Sequence, residues 1–453
     1  MVMNWTEPRG RIRLATASVV ALAISLGTAG AARAVEPIKI GFGMAETGGL
    51  AANGKAALLA MQIWEKQTNA KGGLLGRPVK LIYYDDQSNP ATVPGIYSKL
   101  LDVDHVDLVV SGYGTTQIAP AMPIVIAHKM AFLSLFGLNV NKDFHYDRYF
   151  SMVPTGGPHP SQSFSVGFFD LAAQQTPKPK TVALIAANSD FAIHAAEGAR
   201  AEAKAKGLKI VYDNTYPPNT ADFTPIVQAI QAAHPDIVFV ASYPPGSAGM
   251  VRAAHEEELE TKMFGGGMVG LQFTNFKTQL GSELNGIVNY DFWEPAKTMQ
   301  FPGVLNFLKV YQAAAAKAGV DPLGYYLPPF AYAYLQVLGD AVTATKSLDQ
   351  DKIAAYLREP QLQDGGRRGP LWAERRMGAA SRARSTVSRD QGTWSRPVQD
   401  GRQADHSLAP QICNRRNYLS LYRSCQVAAQ LKGEALYRGG GRRHRQTRVG
   451  TVL

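Results

Sequence analysis

VDLVVSGYGTTQIAP, residues 106 to 120, changes character half-way along. Val106 to Val110 is mostly apolar and β-branched, the composition of a short buried strand, and a helix-like apolar run follows Thr116. Between them Ser111-Gly112-Tyr113-Gly114-Thr115-Thr116 is small and hydroxylated, with no charge. A carboxylate at the end of such a strand meets the unpaired N–H groups and the dipole of the next helix. Gly114 lets a ligand approach the backbone, and the Thr115 and Thr116 hydroxyls add donors. A hydrogen bond to a charged group contributes roughly 1.5 to 3 kcal/mol, whereas the dipole adds about 0.3 to 1 kcal/mol. Directed donors would therefore hold the anion. The same residues also read as a threonine N-cap closing an ordinary α/β loop.

Outward from this segment, strands and helices alternate. Strands are expected at Ile38 to Met44, Pro78 to Asp85, Val106 to Gly112 and Met130 to Phe136, with helices at about 54 to 68, 91 to 102 and 116 to 128. Met130 to Gly137 ends this first unit. A second unit repeats the plan, with strands at Thr181 to Ala187, Lys209 to Tyr216, Asp236 to Tyr243 and Lys262 to Gly265 and helices near 191 to 206, 222 to 233 and 246 to 258. The Pro- and Gly-rich YFSMVPTGGPHP, 149 to 160, suits the join, and GIVNYDFWEP, 286 to 295, carries the chain back. Helices follow at about 303 to 318, 328 to 345 and 349 to 358. The expectation is α/β: two doubly wound Rossmann-like lobes, 35–150 plus 290–360 and 151–289, joined by a multi-crossover hinge with a ligand cleft between them.

The chain has 453 residues, 45% hydrophobic and 18% charged, enough for two or three domains. Arg9, Arg11 and Arg13 precede an uncharged stretch from Leu14 to Ala32, and Ala32-Arg33-Ala34 has the small-x-small pattern of a signal peptidase site. Residues 1–34 read as a signal peptide, which places the protein in the periplasm. The net charge of +11 is not spread evenly: residues 35 to 360 carry −4 and residues 361 to 453 carry +12, with both cysteines, Cys413 and Cys425, in the latter. A body without cysteine depends on its core rather than on disulfides.

The stretch 361–453 lacks periodicity and holds 17 Arg against one Lys, the reverse of the Lys-rich body. A reading-frame shift accounts for it better than a basic nucleic-acid-binding arm does. Moved by one base, permitted codons for GPLWAERRMGAASRA, 369 to 383, can be read as ARYGPNGEWAQPRVL, a turn followed by a strand-like run. The native frame is expected to be lost near Pro360 and the tail to be unstructured. Resequencing that returns one uninterrupted frame would remove this reading.

The opening strand IKIGFGM, its TG loop and helix, NAKGG with GRPVKL, a strand ending in DD, and then SGYGTTQIAP come in a characteristic order. On these segments residues 38 to 360 resemble the branched-chain-amino-acid-binding type of periplasmic solute-binding protein, the receptor component of an ABC importer. The resemblance implies capture of a small solute by lobe closure, a membrane permease as partner, a monomer, and no cofactor. It also implies ligand contacts at Asn53, at Phe136, Gly137 and Asn139 in SLFGLN, at Phe191 and Tyr243 in the second lobe, and at Gly267 and Met268. Relatives that bind α-amino acids usually place an acid in the last segment, where this chain has GGGM. A buried ammonium without a partner costs several kcal/mol. A carboxylate with an apolar or aromatic body, or an amide, therefore fits better than a zwitterion.

Enzyme readings fare poorly. GFGMAE, 41 to 46, lacks the third glycine of a dinucleotide fingerprint, no P-loop or Gly-x-Ser-x-Gly elbow appears, and His105, His128, His159 and His194 lack metal-ligand spacing. HEEELE, 255 to 260, reads as a solvated helix face. Two rivals remain: a ligand sensor on the same fold, and nucleic-acid binding through the basic tail. A salt-dependent shift of labelled DNA separates the second from a solute receptor, for which no nucleic-acid partner is expected.

Overall fold

A computed structural model describes residues 35–152, 159–296, 300 and 303–358. The expected signal peptide and the Arg-rich tail lie outside the described residues. All the elements below lie in the unit that begins at Ile38.

The first sheet contains β1 (Ile38–Met44), β2 (Val79–Asp85), β3 (Leu108–Tyr113), β4 (Phe132–Leu135) and β5 (Tyr149–Met152), all parallel, in the order β2-β1-β3-β4-β5. Its connections carry α1 (Ala51–Ala70), α2 (Val93–Ser98, continued by a π-helical turn over Lys99–Val103), α3 (Thr115–Ile118), α4 (Met122–Ala127) and α5 (Asn141–Phe144). After α6 (Val166–Ala172) the plan repeats: β6 (Thr181–Ala187), α7 (Asp190–Ala205), β7 (Lys209–Tyr216), α8 (Thr224–Ala232), β8 (Ile237–Ser242), α9 (Pro244–Glu256), β9 (Met263–Met268), α10 (Thr274–Leu280) and β10 (Ile287–Asn289). The second sheet is also parallel, in the order β10-β9-β8-β6-β7. Each sheet with its helices forms one lobe, and both follow a 2-1-3-4-5 winding, which puts the switch point beside the first and third strands of each lobe. The chain then returns through α11 (Val304–Ala318), α12 (Pro328–Thr345) and α13 (Gln350–Arg358), and α11 and α12 pack on α1.

Burial explains the strand composition. β3, β8 and β9 are buried at every residue, as strands of a parallel sheet covered on both faces should be. Three elements depart from the sequence reading. Tyr149–Met152, expected in the join, is a fifth strand that pairs Phe132 to Leu135 residue for residue. The helix expected over 116 to 128 is broken into α3, a 3-10 turn over Ala119–Ala121, and α4. Pro120 and Pro123 have no N–H to give an α-helical ladder, so the chain restarts at each. The strand expected to stop at Gly265 continues to Met268, because its glycines stay in register with Phe239 to Ala241 of β8.

At the end of β2 the two aspartates divide their duties. The Asp85 carboxylate accepts from the N–H groups of Glu46, Thr47 and Gln87 and from the Thr47 hydroxyl (2.6–3.1 Å), fixing the loop after β1. Asp86 is 1% exposed and accepts from Ser88 N–H at 2.8 Å. Burial, with repulsion from Asp85 and Glu46, pushes its carboxyl up to about 6 against the opposing Ser88 bond. A folded-state value above the ordinary aspartate value near 4 favours the native protein while Asp86 is protonated, and that advantage is lost as pH rises through about 6. Asp86→Asn is therefore expected to raise the thermal midpoint by a few degrees at about pH 7.5 and to leave it unchanged at about pH 4. Equal effects at both pH values, by scanning calorimetry, would contradict this.

Candidate functional site

The switch points of the two sheets bring Tyr113, Gly114 and Thr116 of lobe 1 against Tyr243 of lobe 2. β3 ends at Tyr113, and Gly114 turns the chain with φ +92°, a region costly for any residue with a side chain. A Cβ on Gly114 would also lie 3.4 Å from the Tyr243 hydroxyl. That hydroxyl stands 3.0 Å from Thr116 Oγ1. Burial pushes the Tyr243 phenol up to about 12, opposed by its hydrogen bonds with Thr116, so it remains a neutral hydrogen-bonding group. Thr115 behaves differently: its buried Oγ1 accepts from Leu138 N–H at 3.0 Å and ties the β3–α3 loop to the loop after β4. α3 has four residues, so its dipole is slight beside these directed groups.

SLFGLN makes structural contacts. Phe136 adopts φ +65° and is buried edge-on to Phe292, Tyr326 and Phe330, with Tyr113 at 6.1 Å. The Gly137 carbonyl accepts from the Ser151 hydroxyl at 3.2 Å. Asn139 donates through Nδ2 to Ser161 Oγ at 2.7 Å, beyond the β5 strand and ahead of α6.

In lobe 2, Phe191 opens α7 between Phe164 (4.9 Å, edge-on) and Tyr243 (5.4 Å). Met268 is fully buried, and its N–H and carbonyl are held by the Asn289 side chain at 3.0 and 2.7 Å. A Cβ on Gly267 would meet Phe239, Val240 O and Ala195, which places that position toward the core under α7.

Sequence reasoning did not select Tyr113, Phe164, Tyr290, Phe292 or Tyr326. The crossing segment brings Tyr290 and Phe292 against Phe164, and Tyr326 comes from the loop before α12, stacked on Phe292. Three hydroxyls form a chain: Tyr113 to Tyr326 at 3.2 Å and Tyr326 to Tyr290 at 2.9 Å. Burial holds Tyr113 and Tyr326 well above the usual phenol range, so both stay protonated. Asn53 is fully buried against the Tyr113 hydroxyl, yet neither of its amide atoms completes a hydrogen bond. Asp291, also unforeseen, lies near Tyr326, and burial pushes its carboxyl up to about 6 against the pull of Lys277 and the Phe292 N–H (2.8 Å). Among the described residues, no three His, Cys, Asp or Glu side chains gather as a metal site requires.

Two parallel-sheet lobes whose switch points meet through Thr116 and Tyr243 are the geometry of a two-lobe binding protein. The model of the periplasmic binding protein family matches residues 37–386. This chain belongs to that family. Family members are substrate-binding proteins of ABC importers, related to binding proteins for branched-chain amino acids and aromatic acids. Leu/Ile/Val-binding protein homolog 7 of Brucella abortus (strain 2308) is 24% identical over 357 residues, covering 77% of this chain and 87% of the relative. The branched-chain amino acid transporter substrate binding protein of Streptococcus pneumoniae, solved with isoleucine, superposes with a TM-score of 0.61 at 21% identity, covering 73% of this chain and 90% of the other. A solute binding protein of an R. palustris ABC transporter, solved with 4-hydroxybenzoate, gives 0.60 at 20% identity, covering 71% and 85%. The last two likenesses show the fold. The family match ends inside the Arg-rich stretch, beyond the Pro360 position at which the sequence places loss of frame.

Proposed function

We propose that this chain is the periplasmic receptor of an ABC importer and captures a small carboxylate-bearing solute with an apolar or aromatic body. It does so as a monomer, by closure of the two lobes, and delivers the solute to a membrane permease. The observation that carries the reading is the direct bridge between lobes at the strand ends, Thr116 to Tyr243 at 3.0 Å, above a floor of aromatic rings. Thr116 supplies a donor for a carboxylate, and Phe136, Phe164 and Phe191 supply edges and faces for an apolar body.

Two structural neighbours were solved with different solutes, one an amino acid and one an aromatic acid, and both solutes carry a carboxylate. An ammonium is less well served. Asp291 is an acid close enough to act on Tyr326, and its carboxylate already accepts from the Phe292 N–H and is drawn by Lys277. Isothermal titration of the purified protein with leucine, 4-methylpentanoate and phenylacetate tests this. The acids without an amine are expected to bind at least about tenfold tighter than leucine, which must bury an unpartnered ammonium. Leucine as the tightest of the three would sink the preference, and no binding by any of them would sink the carboxylate reading.

A further inference from the structure

Beside the strand end at Tyr113 stands a group of neutral hydrogen-bonding side chains, and one of them is unsatisfied. Asn53 is 0% exposed with both amide atoms unpaired, at the head of the Tyr113–Tyr326–Tyr290 hydroxyl chain. On α3, Gln117 is 2% exposed, and its amide atoms are likewise unpaired. Buried polar side chains in folded proteins are nearly always hydrogen-bonded, so the orphan amide of Asn53 beside the Tyr113 hydroxyl calls for an external partner.

From this juxtaposition we infer that the solute carries, besides its carboxylate, an uncharged hydroxyl or carboxamide, read by the Asn53 amide together with the Tyr113 and Tyr326 hydroxyls. The inference rests on the cleft being the solute site and specifies what that site selects. An amide side chain offers one donor and one acceptor side by side, and a hydroxyl chain can pass its protons in either direction. A phenol, alcohol or primary amide satisfies both sides at once, whereas a methoxy group can only accept. A bare ring leaves both sides unpaired.

The test is a matched set of acids titrated calorimetrically into the purified protein: phenylacetate, 4-hydroxyphenylacetate, 4-carbamoylphenylacetate and 4-methoxyphenylacetate. The hydroxyl or carboxamide member is expected to bind about tenfold or more tighter than phenylacetate, the effect of pairing buried polar groups otherwise left unsatisfied. In Asn53→Leu that preference should fall to within about twofold while the thermal midpoint of the free protein holds or rises, because an unpaired amide has been exchanged for an apolar group of similar size. Tyr326→Phe is the second variant and should flatten the preference in the same way. Phenylacetate binding as tightly as both polar members overturns the inference and leaves the cleft as the carboxylate site. A preference that survives in both variants also overturns it. No binding by any of the four acids removes the carboxylate reading and the inference together.

Discussion

Gly54→Ala is expected to cost the fold about 3 kcal/mol or more, read as a lowered urea midpoint, although alanine is the better helix former. Gly54 lies in the first turn of α1, where the helix passes across the end of β1. A Cβ there would overlap the Ala45 carbonyl oxygen, with the carbonyl carbon at 2.7 Å and the Ala45 Cα at 3.1 Å. All three atoms are backbone, so no side chain can swing aside. Nor can the helix back away freely, because its far side packs on α11 and α12, where Trp64 touches the face of Gly339. The strand would have to move instead, and Ala45 leads directly into the loop fixed by Asp85. Gly95→Ala is the control, since a Cβ on Gly95 meets nothing within 4 Å and its helix should gain slightly. Equal midpoints for the two variants would mean that α1 does not sit this close to β1.

The parallel strands were legible because full burial on both faces writes itself as an apolar, β-branched run. Ile38–Met44 and Thr181–Ala187 are buried at nearly every residue and have the ends that their composition predicts, and the edge strand Lys209–Tyr216, largely exposed, keeps its expected ends as well. β5 was not, because four residues of strand lie against a run of Pro and Gly that marks a join. The broken helix after β3 shows the same limit, since Pro120 and Pro123 alter a ladder without altering the apolar pattern. For the site, the resemblance located the strand ends, and the structure redistributed the roles there: Thr115 ties two loops, whereas Thr116 faces the other lobe. The hydroxyl chain had no sequence signal at all. Tyr113 and Tyr326 are 213 positions apart, and each is an ordinary aromatic in its own segment. Only the return of the chain through the crossing strand and the loop before α12 makes them neighbours.

Thr116→Val is expected to weaken carboxylate binding by about ten- to a hundredfold, the loss of one hydrogen bond to a charged group. Valine keeps the shape of threonine and removes the oxygen that stands 3.0 Å from Tyr243, so the free protein should lose only about 1 kcal/mol of stability, the worth of one neutral hydrogen bond. Tyr243→Phe removes the other half of that contact. It gives up only a neutral hydrogen bond, of about 1 kcal/mol, so a loss of only a few fold is expected. Thr115→Val separates scaffold from ligand. It strips the acceptor from the buried Leu138 N–H and should lower stability by about 1 to 3 kcal/mol, with affinity at a temperature well below unfolding changed little. The three variants, titrated with 4-methylpentanoate and melted without it, thus predict three different pairs of readings. If Thr116→Val binds the acid within about twofold of the parent protein, the carboxylate is not held at the end of β3. In that case the Thr116–Tyr243 contact is a latch between lobes and nothing more.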